Sequence, residues 1–287
     1  MRRVLEAGVR GLPLRPLQED AKKEPADDRD YFAKRTAGLC AIALFIGILS
    51  VASSAYVGFD PVKALVDLPE GMVWLMMSFV PSAASFEKLD AILPALGQTV
   101  LVSIAASYMA AILAYGCAVI GSRAVGLNGV VSLIVRAIAS LFRNIPMVAW
   151  ALILLFSFKQ SEFTGFFALF LTSFGYLTRC FLETIDEVSE GPVEALRASG
   201  ASYAQMVTQA VIPLSITAVV SWVLYMIETN IRDATLVGLL TGTGIGFVFD
   251  IYYKGFQYDV AGLVILCIIV VVVACELTSN FVRRRIL

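Results

Sequence analysis

The chain has 287 residues, 59% of them apolar, a formal net charge of −1 and no histidine. Several apolar runs reach the roughly 20 residues that cross a bilayer as a helix, a length that the alternating faces of a soluble domain do not produce. The missing histidine excludes Ser-His triads, His-ligated metals and histidine proton relays. With no GxxxxGKS/T loop and no Gly-Lys pair, any ATP chemistry is expected on another chain.

Residues 1–33 mix both charge signs with little periodicity, have no apolar core of a secretory signal, and read as a flexible cytoplasmic tail. A first span is predicted over 36–58, entered by Lys34 and Arg35. Residues 72–80 form an apolar stretch too short to cross and read as an interfacial helix. A second span covers 93–120. A third covers 129–158, with Arg136 and Arg143 in its first half and Pro146 interrupting it; its early part is expected near the cytoplasmic surface. Spans four, five and six cover 163–182, 214–231 and 259–281. The whole is an all-α membrane bundle of about six helices over 34–287. Six spans put both termini on one side. Of the 22 Lys and Arg, only Lys63, Lys88, Lys159, Arg232 and Lys254 then fall outside when the termini are cytoplasmic, and Arg283–Arg285 close the last span inside. The five cysteines lack CxxC spacing and read as small apolar residues. Asp186, Asp233, Asp250 and Asp259 have no metal-ligand spacing, and no metal or catalytic residue is expected.

The loop between spans four and five, about 187–213, carries the most pattern. Gly191 can cap a helix with Pro192 at its first position and Glu194 at its third. Gly200 ends it as a C′ glycine would. Ser202 and Gln205 have capping-box spacing. Tyr203, Met206, Val207, Ala210 and Val211 then make one apolar stripe, and Pro213 is expected to stop it. Two short helices joined by a glycine turn suit insertion into a partner's groove, and equally suit packing on their own bundle.

Further on, Glu228 and Arg232 stand in the favourable order for an i,i+4 pair. One reading is an intrahelical ion pair near the outer end of span five. The other puts Asn230 and Arg232 beside a solute path. Gly238, Gly242, Gly244 and Gly246 follow with no room for regular helix, and their backbone N–H groups could form an anion-binding concavity. Arg136 and Arg143 are seven apart and share a helix face, where they can snorkel or pair within the bundle.

Glu194-Ala195-Leu196 followed by Gly200 and Val211-Ile212-Pro213 resembles the cytoplasmic "EAA" loop of ABC importer permeases, with Leu196 in place of the second alanine. ETNIRDATLVGLLTGTGIG at 228–246, Arg143-Asn144-Ile145-Pro146 and GPVEALRASGAS are similar to segments of the phosphonate-type permeases; Thr243 and Val237 depart from that pattern. The resemblance implies a type I ABC importer permease fold and a phosphonate or related oxyanion as solute. It implies as partners separate ATPase subunits that hold ATP and Mg, an extracytoplasmic solute-binding protein, and a second permease copy or sibling. It casts Glu194, Ala195, Gly200, Tyr203, Met206 and Pro213 as the ATPase-coupling unit. It places Arg143, Asn144, Pro146, Glu228, Asn230, Arg232, Gly242, Gly244 and Gly246 on the translocation pathway. Membrane lipid surrounds the chain, and no nucleic acid is implied. The alternatives are a permease for an amino acid, phosphate or phosphite, and an intramembrane lipid-modifying enzyme.

Overall fold

A computed structural model describes residues 28–286. The chain divides into two compact units, 1–72 and 73–287. In the first, helix α1 (Asp28–Val57) starts inside the segment expected to be tail. The remainder of the expected tail, 1–27, lies outside the described residues. Gly58, at φ +74°, ends α1. Helix α2 (Pro61–Ser78) follows, far longer than the stretch expected at 72–80. Its start signal is local: the Asp60 carboxylate accepts from the Val62 and Lys63 amides at 3.0 and 3.1 Å, with Pro61 at the first position.

The second unit is built on α3 (Leu89–Gly121), α6 (Glu162–Ala198) and α8 (Ile212–Thr241), which pack on one another. Ala106, Ala110, Ala111, Ala114 and Ala118 of α3 are buried. Small residues of this kind let membrane helices approach closely, where packing and not hydrophobic transfer drives association. Phe181, Leu182 and Ile185 of α6 fill the facing side. Between α3 and α6, the third span resolves into α4 (Gly129–Asn144) and α5 (Met147–Phe158), bent by 90° at Ile145-Pro146. Proline supplies no N–H and keeps the residue before it extended, and Ile145 has ψ 119°. Among the described residues five helices are long and apolar enough to cross a membrane, or six with the bent pair as one span.

Two expectations at the loop fail. Helix α6 runs unbroken through Gly191 and Pro192 to Ala198. Pro192 forgoes one ladder bond, but it lies on the exposed side while Ser189 and Val193 are buried, so packing holds the helix. Nor does Pro213 stop the next helix. A short turn α7 (Tyr203–Met206), a π-turn at Val207–Val211 and α8 join into one 39-residue run, Tyr203–Thr241. The π register, in which the Ile212 amide donates to the Val207 carbonyl, falls just before the residue that cannot donate. Helices α9 (Gly244–Lys254) and α10 (Tyr258–Ile286) complete the unit.

Candidate functional site

At one end of the bundle α6 closes on Gly200. The Gly200 amide donates to the Arg197 carbonyl and the Ala201 amide to the Leu196 carbonyl, at 3.1 and 3.0 Å. This is a Schellman closure, and it holds Gly200 at φ +82°. Ser202 then caps the next helix: its amide donates to Gln205 Oε1 at 2.7 Å, and its hydroxyl accepts from the Gln205 amide. Glu194, Ala195, Gly200, Tyr203 and Pro213 are exposed. The apolar stripe is different. Met206, Ala210 and Val211 are buried in the same cluster as Leu182, Ile185 and Val193. The stripe therefore packs on its own bundle, which removes Met206 from the surface available to a partner. Glu194 lies in the last turns of α6, not the first turn of a new helix, so the dipole disfavours its carboxylate.

Beside this elbow lies a clamp that spacing did not reveal. Asp186 accepts from Ser122 Oγ at 2.8 Å, the Arg123 amide at 2.7 Å and Arg136 Nη2 at 2.6 Å. The Arg197 guanidinium donates to the Ala124 carbonyl at 2.9 Å. The α3–α4 loop is thus tied to α6 by two charged groups. A half-buried Arg136 calls for a counter-ion, and that was the available signal; the shared face with Arg143 pointed elsewhere. Arg143 and Asn144 stay exposed at the α4–α5 corner, where the Pro146 carbonyl accepts the first amides of α5. Phe142 stacks on Trp150 at 5.3 Å, and Gly175 of α6 sits against the Phe142–Arg143 backbone.

About two-thirds of the way along α8, Arg232 Nη1 meets Glu228 Oε1 at 2.8 Å, with the arginine side chain 45% exposed and the glutamate 14%. The pair forms as spaced, and the helix continues nine residues beyond Arg232 to Thr241. Asn230 is only 1% exposed. Its amide donates to Ser107 Oγ at 2.8 Å and Ser173 Oγ at 2.7 Å, cross-linking α3, α6 and α8. Its expected place beside a solute path is thereby corrected to one buried inside the bundle, with its amide nitrogen bonded to both serines.

The glycines do not line open backbone. Gly238 ends its days inside α8 and Gly246 inside α9; only Gly242 and Thr243 form the turn between them. A Cβ on Gly238 would lie 2.5 Å from the Thr243 carbonyl oxygen, and one on Gly246 would collide with the Thr235 carbonyl. Gly244, at φ +61°, lies against Thr99 Oγ1 of α3, which accepts from the Ile245 amide at 2.9 Å. So the anion concavity is replaced by a close-packed corner whose second N–H is already taken. The cavity beside it is only about 20 Å³, room for about one water. Its lining includes Glu162, a poor neighbour for an anion.

The many-span helical unit is of the kind that crosses a membrane, and the comparisons supply its class. The chain belongs to the binding-protein-dependent transport system inner membrane component family, whose model matches residues 110–286. It is similar to the phosphate-import permease protein PhnE of Mycolicibacterium smegmatis, 27% identical over 67% of this chain but only 36% of that one. It thus spans about a third of that relative's length. It is 25% identical to the phosphite transport system permease protein PtxC of Stutzerimonas stutzeri, over 93% of this chain and 98% of the relative. These support the phosphonate-type ABC permease resemblance. The MetNI methionine ABC transporter in an inward-facing conformation shares the fold, with TM-score 0.61 at 18% identity over 68% of this chain and 96% of that one.

Proposed function

We propose that the chain carries a phosphorus oxyanion, such as a phosphonate, phosphite or phosphate, across the membrane by alternating access. In this reading separate ATPase subunits hold ATP and Mg and drive the cycle. An extracytoplasmic binding protein delivers the solute, a second permease copy or sibling completes the path, and both termini are cytoplasmic. The exposed surface of the elbow, from Glu194 and Ala195 through Gly200 to Tyr203, meets the ATPase.

One observation supports the solute class above the others. Arg232 keeps its guanidinium half exposed about two-thirds of the way along a helix long and apolar enough to cross a membrane. A charge within a span costs up to about 2.5–3.5 kcal/mol on insertion scales, the figure for the helix centre, and Glu228 offsets only part of it. Such residues face a bundle interior or a watered path, and a guanidinium matches an oxyanion's geometry. The names of the phosphate and phosphite relatives point the same way.

The test is uptake by proteoliposomes holding the assembled transporter. Methylphosphonate, phosphite and phosphate are offered beside methionine. Accumulation of a phosphorus oxyanion, abolished by Arg232→Gln and partly kept by Arg232→Lys, supports the proposal. Methionine uptake with no oxyanion uptake refutes the solute class. Lipid turnover without ATP-driven uptake refutes the transport reading altogether.

A further inference from the structure

Two arginines on α4 and α6 hold unused donors on one open side of the bundle. Arg179 of α6 donates from Nε to Glu183 at 2.5 Å, which leaves both terminal nitrogens without a partner among the described residues. Its side chain is 40% exposed. Arg143, at the α4–α5 corner, is exposed, and no ion pair among the described residues uses its guanidinium. The backbone brings the two together. Arg143 lies so close to Gly175 that a Cβ on the glycine would stand 2.7 Å from the Arg143 amide nitrogen. Arg179 is one turn beyond Gly175 on the same face of α6. Cys180, the next residue, has both guanidiniums among its charged neighbours.

A line of polar side chains joins this pair to Arg232. Tyr225 and Arg232 are seven apart on α8, hence on one face, and both are exposed. The Tyr225 ring packs on Tyr176 of α6 at 6.0 Å, and Tyr176 is three residues before Arg179 on one face of α6. At 1.5 Å per residue Arg179 lies about 15 Å nearer the elbow than Arg232. Charged and polar groups within apolar helices are costly against lipid tails and suit a water-filled path. We propose that Arg143 and Arg179 form a second station for the phosphorus oxyanion, reached after Arg232 on the way toward the elbow, a site that rests on the transport reading above. A guanidinium fork suits the oxygens of a carried oxyanion and of a lipid phosphate alike. The line from Arg232 favours the solute, because a lipid site needs apolar side chains along its acyl chains, and Tyr225 and Tyr176 present polar ones.

The assay is uptake of methylphosphonate and phosphite, below saturation, by proteoliposomes holding the assembled transporter. Beside it runs alkylation of Cys180 by N-ethylmaleimide in detergent, in the assembled transporter with Cys40, Cys117, Cys267 and Cys275 replaced by serine. Arg143→Gln and Arg179→Gln should each lower uptake by about tenfold, as the loss of hydrogen bonds to a charged group would, with ATPase recovery and melting temperature kept. Glu183→Gln breaks the same ion pair but keeps the guanidinium, so uptake should stay within about twofold. Millimolar methylphosphonate should slow Cys180 alkylation in the wild type and not in Arg179→Gln, and methionine should slow neither. Full uptake in both glutamine variants would overturn the station while leaving Arg232 and the solute reading in place. Slowing by phosphatidylglycerol but not by methylphosphonate would overturn it in favour of a headgroup site. A loss in Glu183→Gln equal to that in Arg179→Gln would overturn it in favour of a structural ion pair. Absence of any oxyanion uptake by the wild type would refute the solute reading itself, and the station with it.

Discussion

Gly200 separates a steric role from a conformational one. A Cβ there meets nothing within 4 Å, yet its φ is +82°. Substitution therefore costs only the left-handed backbone. Alanine should cost about 1–2 kcal/mol, the penalty for an L-residue in that region. Valine should cost more, because its β-branch crowds the backbone further. Asparagine tolerates the region and should cost least. None of these should unfold a chain with an ordinary margin of about 5–15 kcal/mol, so the penalty is relieved by moving the Ser202–Gln205 cap away from α6. If the exposed elbow meets the ATPase, ATP hydrolysis stimulated by loaded binding protein should fall in the order wild type, Asn, Ala, Val. It would be measured in the reconstituted complex alongside ATPase recovery and melting temperature. Full stimulation in Gly200→Val would show that the elbow is a mere connector. Asparagine as damaging as valine would refute the positive-φ reasoning.

Gly244→Val meets both a φ of +61° and Thr99 Oγ1, so uptake should be lost with membrane insertion intact, and Thr99→Ala should partly rescue Gly244→Ala in the same uptake assay. Asp186→Asn removes the charge that Ser122, Arg123 and Arg136 address, and thermal unfolding in detergent should show a loss of about 1.5–3 kcal/mol. Glu194→Ala takes a carboxylate from the last turns of α6, so melting should be unchanged or raised by about 0.3–1 kcal/mol, while stimulated ATP hydrolysis falls only mildly.

What the sequence announced and what it hid differ in range. Features set within five residues were legible: the Gly200 closure, the Ser202–Gln205 cap and the Glu228–Arg232 pair follow from spacing alone. Gly191-Pro192 and Pro213 misled because local breaker signals were outweighed by packing that only the fold supplies: buried Ser189 and Val193 hold α6, and a π-turn absorbs Pro213. The four glycines read as open backbone because composition cannot distinguish a loop from a tight crossing; the carbonyls of Thr235 and Thr243 make it a crossing. Asn230 and Asp186 find partners fifty or more residues away, in Ser107, Ser173, Ser122 and Arg136. No periodicity announces such pairs.

Under the proposed transport reading, these long-range contacts decide how a push at the elbow would travel. Tyr203 to Thr241 is one helical run, about 58 Å long at 1.5 Å per residue. Its near end carries the exposed elbow, Arg232 lies about three-quarters of the way along it, and its far end is followed by Gly244 and Ile245, seated on Thr99 of α3. The buried Asn230 contacts hold the run to α3 and α6 two residues before Arg232, while the π-turn is the irregular point in the ladder between the elbow and Asn230. π-turns occur often at functional sites. A displacement at the elbow thus has two outlets: the run tilts about the Asn230 cross-link, or it flexes at Val207–Val211 before reaching that cross-link. Only the first carries motion to Arg232. The burial of Met206, Ala210 and Val211 against α6 resists the second, because flexing there would open the packed face, so α6 and the run should move together as the unit that relays the push.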